Sequence, residues 1–343
     1  MNSGENSMSS GINRQWILER RPVGAIADGD LVLKESPIPT PAEGEVLVRT
    51  TYLSLDPTNR TWMSDVDQYM EPVRVGDPMR SIAMGVVEDS RAREFKKGDV
   101  VMTLGSWSDF FTAPAASLMV PPKIPGVEPK DVFGVFYLIG PTAYFGLVDL
   151  GAPRIGETLV VSAAAGAVGS LVGQIAKSLG CRVVGIAGSK EKCDWVLSSL
   201  GFDAAINYKS EDVNSALRKH CPAGIDVYFD NVGGDILDIV MGQMNLFGRI
   251  VECGLISMYN ATVTAPGPSN YPRILMKRLK VQGFIVTDFM PRYPEAIRAL
   301  TKLHAAGKLK WHLHEVEGLE NAANSLKLLY DGGNTGKLLV KVI

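Results

Sequence analysis

Ala164, Gly166 and Gly169 follow the apolar run Thr158 to Ser162 at the spacing of a GxGxxG turn with alanine in its first place. A small first residue permits a tight turn, Gly166 lets the backbone approach a pyrophosphate, and Gly169 lets a helix pack against the strand. The helical stretch "AVGSLVGQIAKSLG", opening at Ala167 and Val168, would aim unpaired N–H groups and the positive end of its dipole at the phosphates. Glycines alone serve packing as readily as binding. Here a strand precedes them, a helix opens on them, and a second strand, "CRVVGIAG", follows at the distance of a dinucleotide-binding unit.

That second strand should end in Asp or Glu if it is to meet a free ribose 2′-hydroxyl. Gly188, Ser189, Lys190 and Lys192 stand there instead, with Glu191 between the lysines. A lysine and a hydroxyl bind a 2′-phosphate that a carboxylate would repel, so the reading is NADP(H). The competing reading is a pair of solvated lysines at a helix start.

Metal chemistry finds few ligands. Residues 1–180 contain no cysteine, and the first histidine is His220. A zinc site built from the first part of the chain is therefore not expected. His312 and His314 would share one face of a strand but lack further ligands nearby, and read as surface residues. Cys181, Cys193, Cys221 and Cys253 show no CxxC spacing and read as thiols packed like small hydrophobes. Without a metal, a hydride acceptor must be activated by hydrogen bonds or by its own conjugation. An alkene conjugated to a carbonyl suits this, because hydride at the β-carbon leaves an enolate that needs only a donor.

Elements must position these groups. A chain of 343 residues exceeds one comfortable core, which predicts two domains. From "GEVLVRTTYLSLDP" to "SLMVPP" short β-type runs alternate with Gly, Pro and Asp turns. After about residue 130 apolar strands alternate with helices, the βαβ signature of a doubly wound parallel sheet. Strands are expected at Thr158 to Ser162, Arg182 to Ala187, Ala204 to Asn207, Val227 to Asp230, Gly248 to Cys253 and Val281 to Phe284, with a helix near Pro294 to Ala306. The organisation is thus 1–135 as a β-rich substrate domain with 1–12 a flexible tail, 136–306 as an α/β coenzyme domain, and 307–343 as a return to the first domain through "KLLVKVI".

A formal charge of −2 with 21% charged residues and no basic patch argues against a nucleic-acid partner. The apolar runs are broken by small residues and turns before they approach the roughly 20 residues of a membrane helix, so no membrane span is expected. The first residues lack the pattern of a signal peptide, and a cytoplasmic location is expected.

The sequence resembles the zinc-independent medium-chain dehydrogenase/reductase superfamily, in the branch of prostaglandin/leukotriene reductases and plant and bacterial double-bond (curcumin) reductases. The motifs that carry the resemblance are "YLSLDP", "GETLVVSAAAGAVGSLVGQIAK", "GCRVVGIAGSKEK", "GFDAAINY", "YFDNVGG", "FGRIVECGLISMYN", "QGFIV" and "GGNTGKLLVKV", spanning nearly the whole chain from Trp16. The resemblance implies a GroES-like first domain and a Rossmann coenzyme domain. It implies that Gly166 to Gly169 hold the pyrophosphate, and that Lys192 and Tyr208, with Ser189 assisting, bind the 2′-phosphate end. Asn231 and the backbone of Cys253, Gly254, Leu255, Ile256 and Ser257 would line the coenzyme. Phe284, Ile285 and Val286 would lie near the nicotinamide, and Asn334 would close over it. Tyr259 would hydrogen-bond the substrate carbonyl and help protonate the enolate. A homodimer joined by edge-to-edge continuation of the coenzyme-domain sheets is also implied.

Two departures fall where pocket shape is set. The family commonly has "SLDPYMR", whereas this chain has "SLDPTNR", placing Thr58 and Asn59 toward the substrate in place of a large phenol. A stretch commonly like "GMPGLTAY" reads "YLIGPTAY". Trp62, Met63 and Tyr69 could line a hydrophobic pocket or equally pack a core. The leading expectation is NADPH-dependent reduction of an enone or enal. A quinone reductase on the same scaffold and a non-catalytic dinucleotide-binding protein are the alternatives.

Overall fold

The computed structural model describes residues 11–263 and 266–343. β-Branched and aromatic residues at alternating positions build the first part. β1 (Ile12–Leu18) pairs antiparallel with β2 (Leu31–Pro37). β3 (Glu45–Ser54) lies between β4 (Arg80–Ser90) and β6 (Phe110–Pro114), and β5 (Val100–Ser106) extends the sheet beyond β4, all antiparallel. Val46, Val48 and Leu53 of β3 are wholly buried in one core with Trp107 and Met63. The expected flexible tail 1–12 falls largely outside the described residues. Its last residue, Ile12, is part of β1, because its backbone continues the ladder opposite Pro37.

A helical run, Pro129–Gly151, then crosses the molecule. It comprises π-helical turns at Val132–Tyr137 and Gly146–Gly151 on either side of the α-helix Ile139–Phe145. By length and composition alone its 23 residues could cross a membrane, but 67% of its most apolar window is buried inside the fold. The expectation that small residues and turns break every apolar run short of that length does not hold here, although Gly140, Pro141 and Gly146 lie within the run. Gly140 admits Leu300 of a neighbouring helix, and Gly146 admits the rings of Phe284 and Phe229. The small residues are contact points rather than interruptions.

The remaining strands are β7 (Thr158–Val161), β8 (Arg182–Ala187), β9 (Ala204–Asn207), β10 (Ile225–Asp230), β11 (Met244–Glu252) and β12 (Lys280–Gly283). They form one parallel sheet in the order β12-β11-β10-β7-β8-β9. Its central strands β7, β8 and β10 are almost wholly buried apolar runs, as expected where helices cover both faces of a parallel sheet. The order reverses at β7, which lies between β10 and β8, and ligands bind open α/β sheets at such a point.

After the helix Tyr293–Ala305 the chain forms β13 (Leu313–Glu317) and β14 (Lys337–Lys341). β14 pairs antiparallel with β3 and so joins the first sheet. Lys337, at the start of β14, is only 3% exposed. Its Nζ donates to Asp56 Oδ1 at 2.6 Å and to the Leu55 carbonyl at 2.8 Å. Burial pulls this ammonium below its usual pKa, and Asp56 opposes that pull. The pair fixes "SLDP" against the returning strand.

Removing one partner of a buried pair leaves the other desolvated and unmatched, at about 3–5 kcal/mol. Lys337→Met should therefore lower the unfolding free energy in urea by about that amount, and the double variant Lys337→Met/Asp56→Leu should regain much of it. Equal stability of Lys337→Met and the parent would show that the pair carries no structural weight.

Candidate active site

β7 delivers Ser162 and Ala163 into the glycine turn, and Ala163 takes a left-handed conformation (φ 48°). Gly166 then forms the N-cap of the helix Ala167–Ser178. No side chain caps this helix, so the first-turn N–H groups of Ala167, Val168 and Gly169 are left for a ligand. Gly169 is required by contact: a Cβ there would sit 2.4 Å from the Ala163 carbonyl oxygen. The returning chain clasps the turn, since Gly336 N donates to Ala165 O at 2.8 Å and Gly166 and Gly336 form a parallel bridge. Gly336 has φ 67°, and a side chain there would strike the His312 carbonyl. Asn334, partly buried, donates its amide to Gly336 O at 3.1 Å and so stands at the mouth of the turn.

β8 ends at Ala187 and leads into Gly188 and Ser189. Ser189 caps the helix Lys190–Ser198, its Oγ accepting from Lys192 N. The ring of Tyr208 lies directly over Gly188. Lys192 Nζ donates to Gly332 O at 2.9 Å, and a Cβ built on Gly332 would lie 3.9 Å from Lys192 Nζ and 3.8 Å from Lys209 Nζ. Burial, and then Lys209, lower the Lys192 pKa. Lys190 instead pairs with Asp194 on the surface. Two ammonium groups, a phenol and a hydroxyl thus converge, an arrangement that fits a 2′-phosphate. Lys209 escaped the sequence reading because it follows Tyr208 beyond β9 and meets Lys192 only in space.

The reversal point is organised by a buried carboxylate. Asp230 Oδ1 accepts from Ser162 Oγ, Tyr228 OH, Val232 N and Gly233 N. Asn231 N donates to Ser162 Oγ and its amide to Ser162 O, both at 2.8 Å, which ties the end of β10 to the end of β7. Ser257 N and Oγ both donate to Val232 O, folding Cys253, Gly254, Leu255, Ile256 and Ser257 back over the crevice. Phe284, partly buried, packs its ring against Gly146 and Phe289, and Ile285 and Val286 follow it directly.

One acid there has no counterpart in the sequence reading. Glu252 lies opposite Asp230 in the β10–β11 register, and its Oε2 is buried without a partner. Burial, with Asp230 adding to it, raises its pKa to about 8.

Tyr259 closes the site. Its oxygen accepts from Leu255 N at 3.0 Å, which leaves its own proton free. Burial raises its pKa, so the phenol stays a donor at neutral pH. Tyr69 lies near enough to act on it electrostatically. Thr58 does face this region, with its hydroxyl hydrogen-bonded to Tyr69 OH, which also accepts from Trp62 Nε1 at 3.0 Å. Asn59 does not face it. Asn59 is fully buried, its Oδ1 accepting from Asp56 N and its Nδ2 donating to Arg80 O, because the tight Pro57–Thr61 turn needs an internal cap. Met63 is core, whereas Tyr69 is 47% exposed.

Two family models match the chain: "N-terminal domain of oxidoreductase" over residues 14–120 and "Zinc-binding dehydrogenase" over residues 167–302. Among the described residues no group of three or more His, Cys, Asp and Glu side chains could hold a metal ion, so zinc does not fit. The putative NADP-dependent oxidoreductase YfmJ of Bacillus subtilis is 45% identical over 96% of this chain and 97% of its own. The NADPH-dependent curcumin reductase of Escherichia coli is 41% identical over the same shares. The 2-alkenal reductase (NADP(+)-dependent) of Nicotiana tabacum is 40% identical, also over 96% and 97%. The crystal structure of CurA from Vibrio vulnificus in complex with NADPH superposes with a TM-score of 0.91 at 44% identity, covering 96% of this chain and 99% of that one.

Two measurements check this geometry. Lys192→Ala and Lys209→Ala should each weaken NADPH binding about tenfold or more while changing NADH binding little, as read by calorimetry; an unaltered NADPH-to-NADH ratio in both would remove the lysines from the phosphate site. Glu252 has a folded pKa above its unfolded value, so its contribution to stability is full below pH 4.5 and is lost as pH rises to about 8. Glu252→Gln should therefore gain stability over the parent, by about 1–4 kcal/mol, progressively across that window. A gain independent of pH would contradict it.

Proposed function

The chain belongs to the zinc-independent branch of the medium-chain dehydrogenase/reductase superfamily and is an NADP(H)-dependent oxidoreductase acting on carbon–carbon double bonds; from that premise we propose that it reduces α,β-unsaturated ketones or aldehydes at the β-carbon. The observation that carries the reading is Tyr259, a partly buried phenol whose oxygen is already held by Leu255 N and whose proton has no protein acceptor among the described residues.

When bound, NADPH supplies the hydride. The chain supplies position and a proton donor. The first-turn N–H groups after Gly166 hold the pyrophosphate, and Ser189, Lys192 and Tyr208, joined by Lys209, hold the 2′-phosphate end. Asn231, Cys253 to Ser257, Ile285, Val286 and Asn334 border the nicotinamide half. Leu255 N fixes the direction of the Tyr259 phenol, which donates to the substrate carbonyl and stabilises the negative charge that gathers there. Thr58 and Tyr69 form the facing wall.

The same reading extends to assembly and place. β12 is an edge strand, and Phe247, Tyr271, Leu275 and Met276 are exposed beside it. An unpaired edge with an apolar margin suits a second copy of this chain, giving a homodimer by sheet continuation. The four unpaired thiols suit a reducing cytoplasm.

Coenzyme oxidation followed by absorbance tests the reading. A medium-chain 2-enone and a 2-enal should be turned over, and their saturated counterparts should not. Turnover confined to a small quinone would favour quinone reduction on this scaffold, and none at all despite NADPH binding would favour a non-catalytic role. Tyr259→Phe should lower kcat about 10²-fold or more with NADPH affinity unchanged. A variant as fast as the parent would take Tyr259 out of the reaction.

A further inference from the structure

The last turn of the helix Ala322–Asp331 makes a contact that the proposed reaction does not use. Tyr330 OH donates to the Pro57 carbonyl at 2.8 Å. Pro57 is the N-cap residue of the Thr58–Thr61 turn, so this bond holds the turn at its start. Arg60 anchors the other end, with its guanidinium bonded to the Pro22 and Gly24 carbonyls and to Ser64 Oγ. Burial raises the pKa of Tyr330, and Arg60 and Tyr259 are the charged or ionisable groups that act on it electrostatically. The phenol is therefore a donor at neutral pH, placed between the substrate turn and the proposed carbonyl donor.

Two residues further on, the same helix end meets the coenzyme side. Gly332 caps the helix in a left-handed conformation (φ 72°), and the Gly333 N–H closes back on the Leu328 carbonyl. The Gly332 carbonyl accepts from Lys192 Nζ at 2.9 Å, and Lys209 Nζ lies beside the same glycine. The two ammonium groups repel, which adds to burial in lowering the pKa of Lys192. A phosphate between them removes that repulsion. Lys192, with three N–H donors, can then hold the phosphate and the Gly332 carbonyl together.

We propose that Tyr330 is a positioning residue that couples the 2′-phosphate end of the coenzyme site to the substrate turn: phosphate at Lys192 and Lys209 fastens Gly332, and the Tyr330 hydroxyl passes that restraint to Pro57 and so to Thr58. This rests on the reading of Lys192 and Lys209 as phosphate ligands. A ligand shifts a conformational equilibrium only by interacting differently with its two states, and here the difference is the Lys192–Gly332 bond, secured once the lysines are neutralised. A coenzyme with a 2′-phosphate thus orders the wall that faces substrate, and one without it binds and leaves that wall loose. Tyr330 takes no part in hydride or proton transfer.

Hydrogen exchange in the full chain reads the coupling at the amides of Asn59, Arg60, Trp62 and Met63, all bonded within the turn or to the residues that open it. Two nucleotides without a nicotinamide serve as probes, so that neither lies in the substrate half of the site: adenosine 2′,5′-bisphosphate and adenosine 5′-phosphate. At saturation the bisphosphate should slow exchange at these amides about fivefold, and the monophosphate should not. Tyr330→Phe, which keeps the ring and removes only the hydroxyl, should bind the bisphosphate as the parent does and lose the slowing. Equal exchange with the two saturating nucleotides in the parent would overturn the coupling, whether or not the variant folds, and would leave the phosphate site standing. Slowing that survives in Tyr330→Phe would overturn the role of Tyr330. Bisphosphate binding no tighter than monophosphate binding would remove Lys192 and Lys209 from phosphate recognition, and the coupling with them.

Discussion

The site depends on the buried Lys337–Asp56 ion pair. Lys337 begins β14 directly after Gly336, and Gly336 is bridged to the dinucleotide turn at Gly166. Asp56 precedes the turn that presents Thr58, and its backbone N–H is capped by Asn59. One contact therefore sets the distance between the glycine turn, proposed to hold coenzyme phosphates, and the Thr58–Thr61 turn, proposed to face substrate. A buried pair of this kind adds little net stability over apolar packing, but it admits only one register. That register is what a hydride transfer between two separately bound molecules requires.

Around this pin the two halves of the site are built from different physics. The coenzyme half, apart from the side chains of Ser189, Lys192, Tyr208 and Lys209 at its far end, is backbone: an uncapped helix end, a left-handed Ala163, and the loop 231–233 gathered by Asp230. Such a surface is set by the sheet and varies little with side-chain chemistry. The substrate half is made of side chains on short turns, with Thr58, Trp62 and Tyr69 holding one another through hydroxyl and indole hydrogen bonds. The buried pair at Asp230 and Glu252 adds a third element, a carboxyl that is kept neutral near neutral pH by its neighbour and by burial.

Much of this was legible in the sequence. Arg182–Ala187 and Ala204–Asn207 form strands with the limits expected, because short apolar runs between turn residues leave a buried strand little choice. The glycine turn was legible because each small residue has a steric reason that needs no tertiary knowledge. Other features required the fold. The run Pro129–Gly151 hid its continuity behind Gly140, Pro141 and Gly146, whose small size matters only when Leu300 and Phe284 are seen against them. Asn59 looked like a pocket residue from its place in "SLDPTNR" and is a turn cap. Lys209 and Glu252 are ordinary charged residues in sequence, and become notable only through Lys192 and Asp230, each brought near by the fold.

The central claim is that the chain directs hydride to the β-carbon of a conjugated carbonyl with a phenol, not a metal, at the oxygen. It is tested most directly by turnover of a 2-enone with NADPH carrying deuterium at C4 on the transferred side, followed by NMR of the saturated product. The account expects one deuterium, at the β-carbon, with the α-position taking its hydrogen from water and the rate unaffected by chelators. Deuterium at the carbonyl carbon, giving an allylic alcohol, would contradict it.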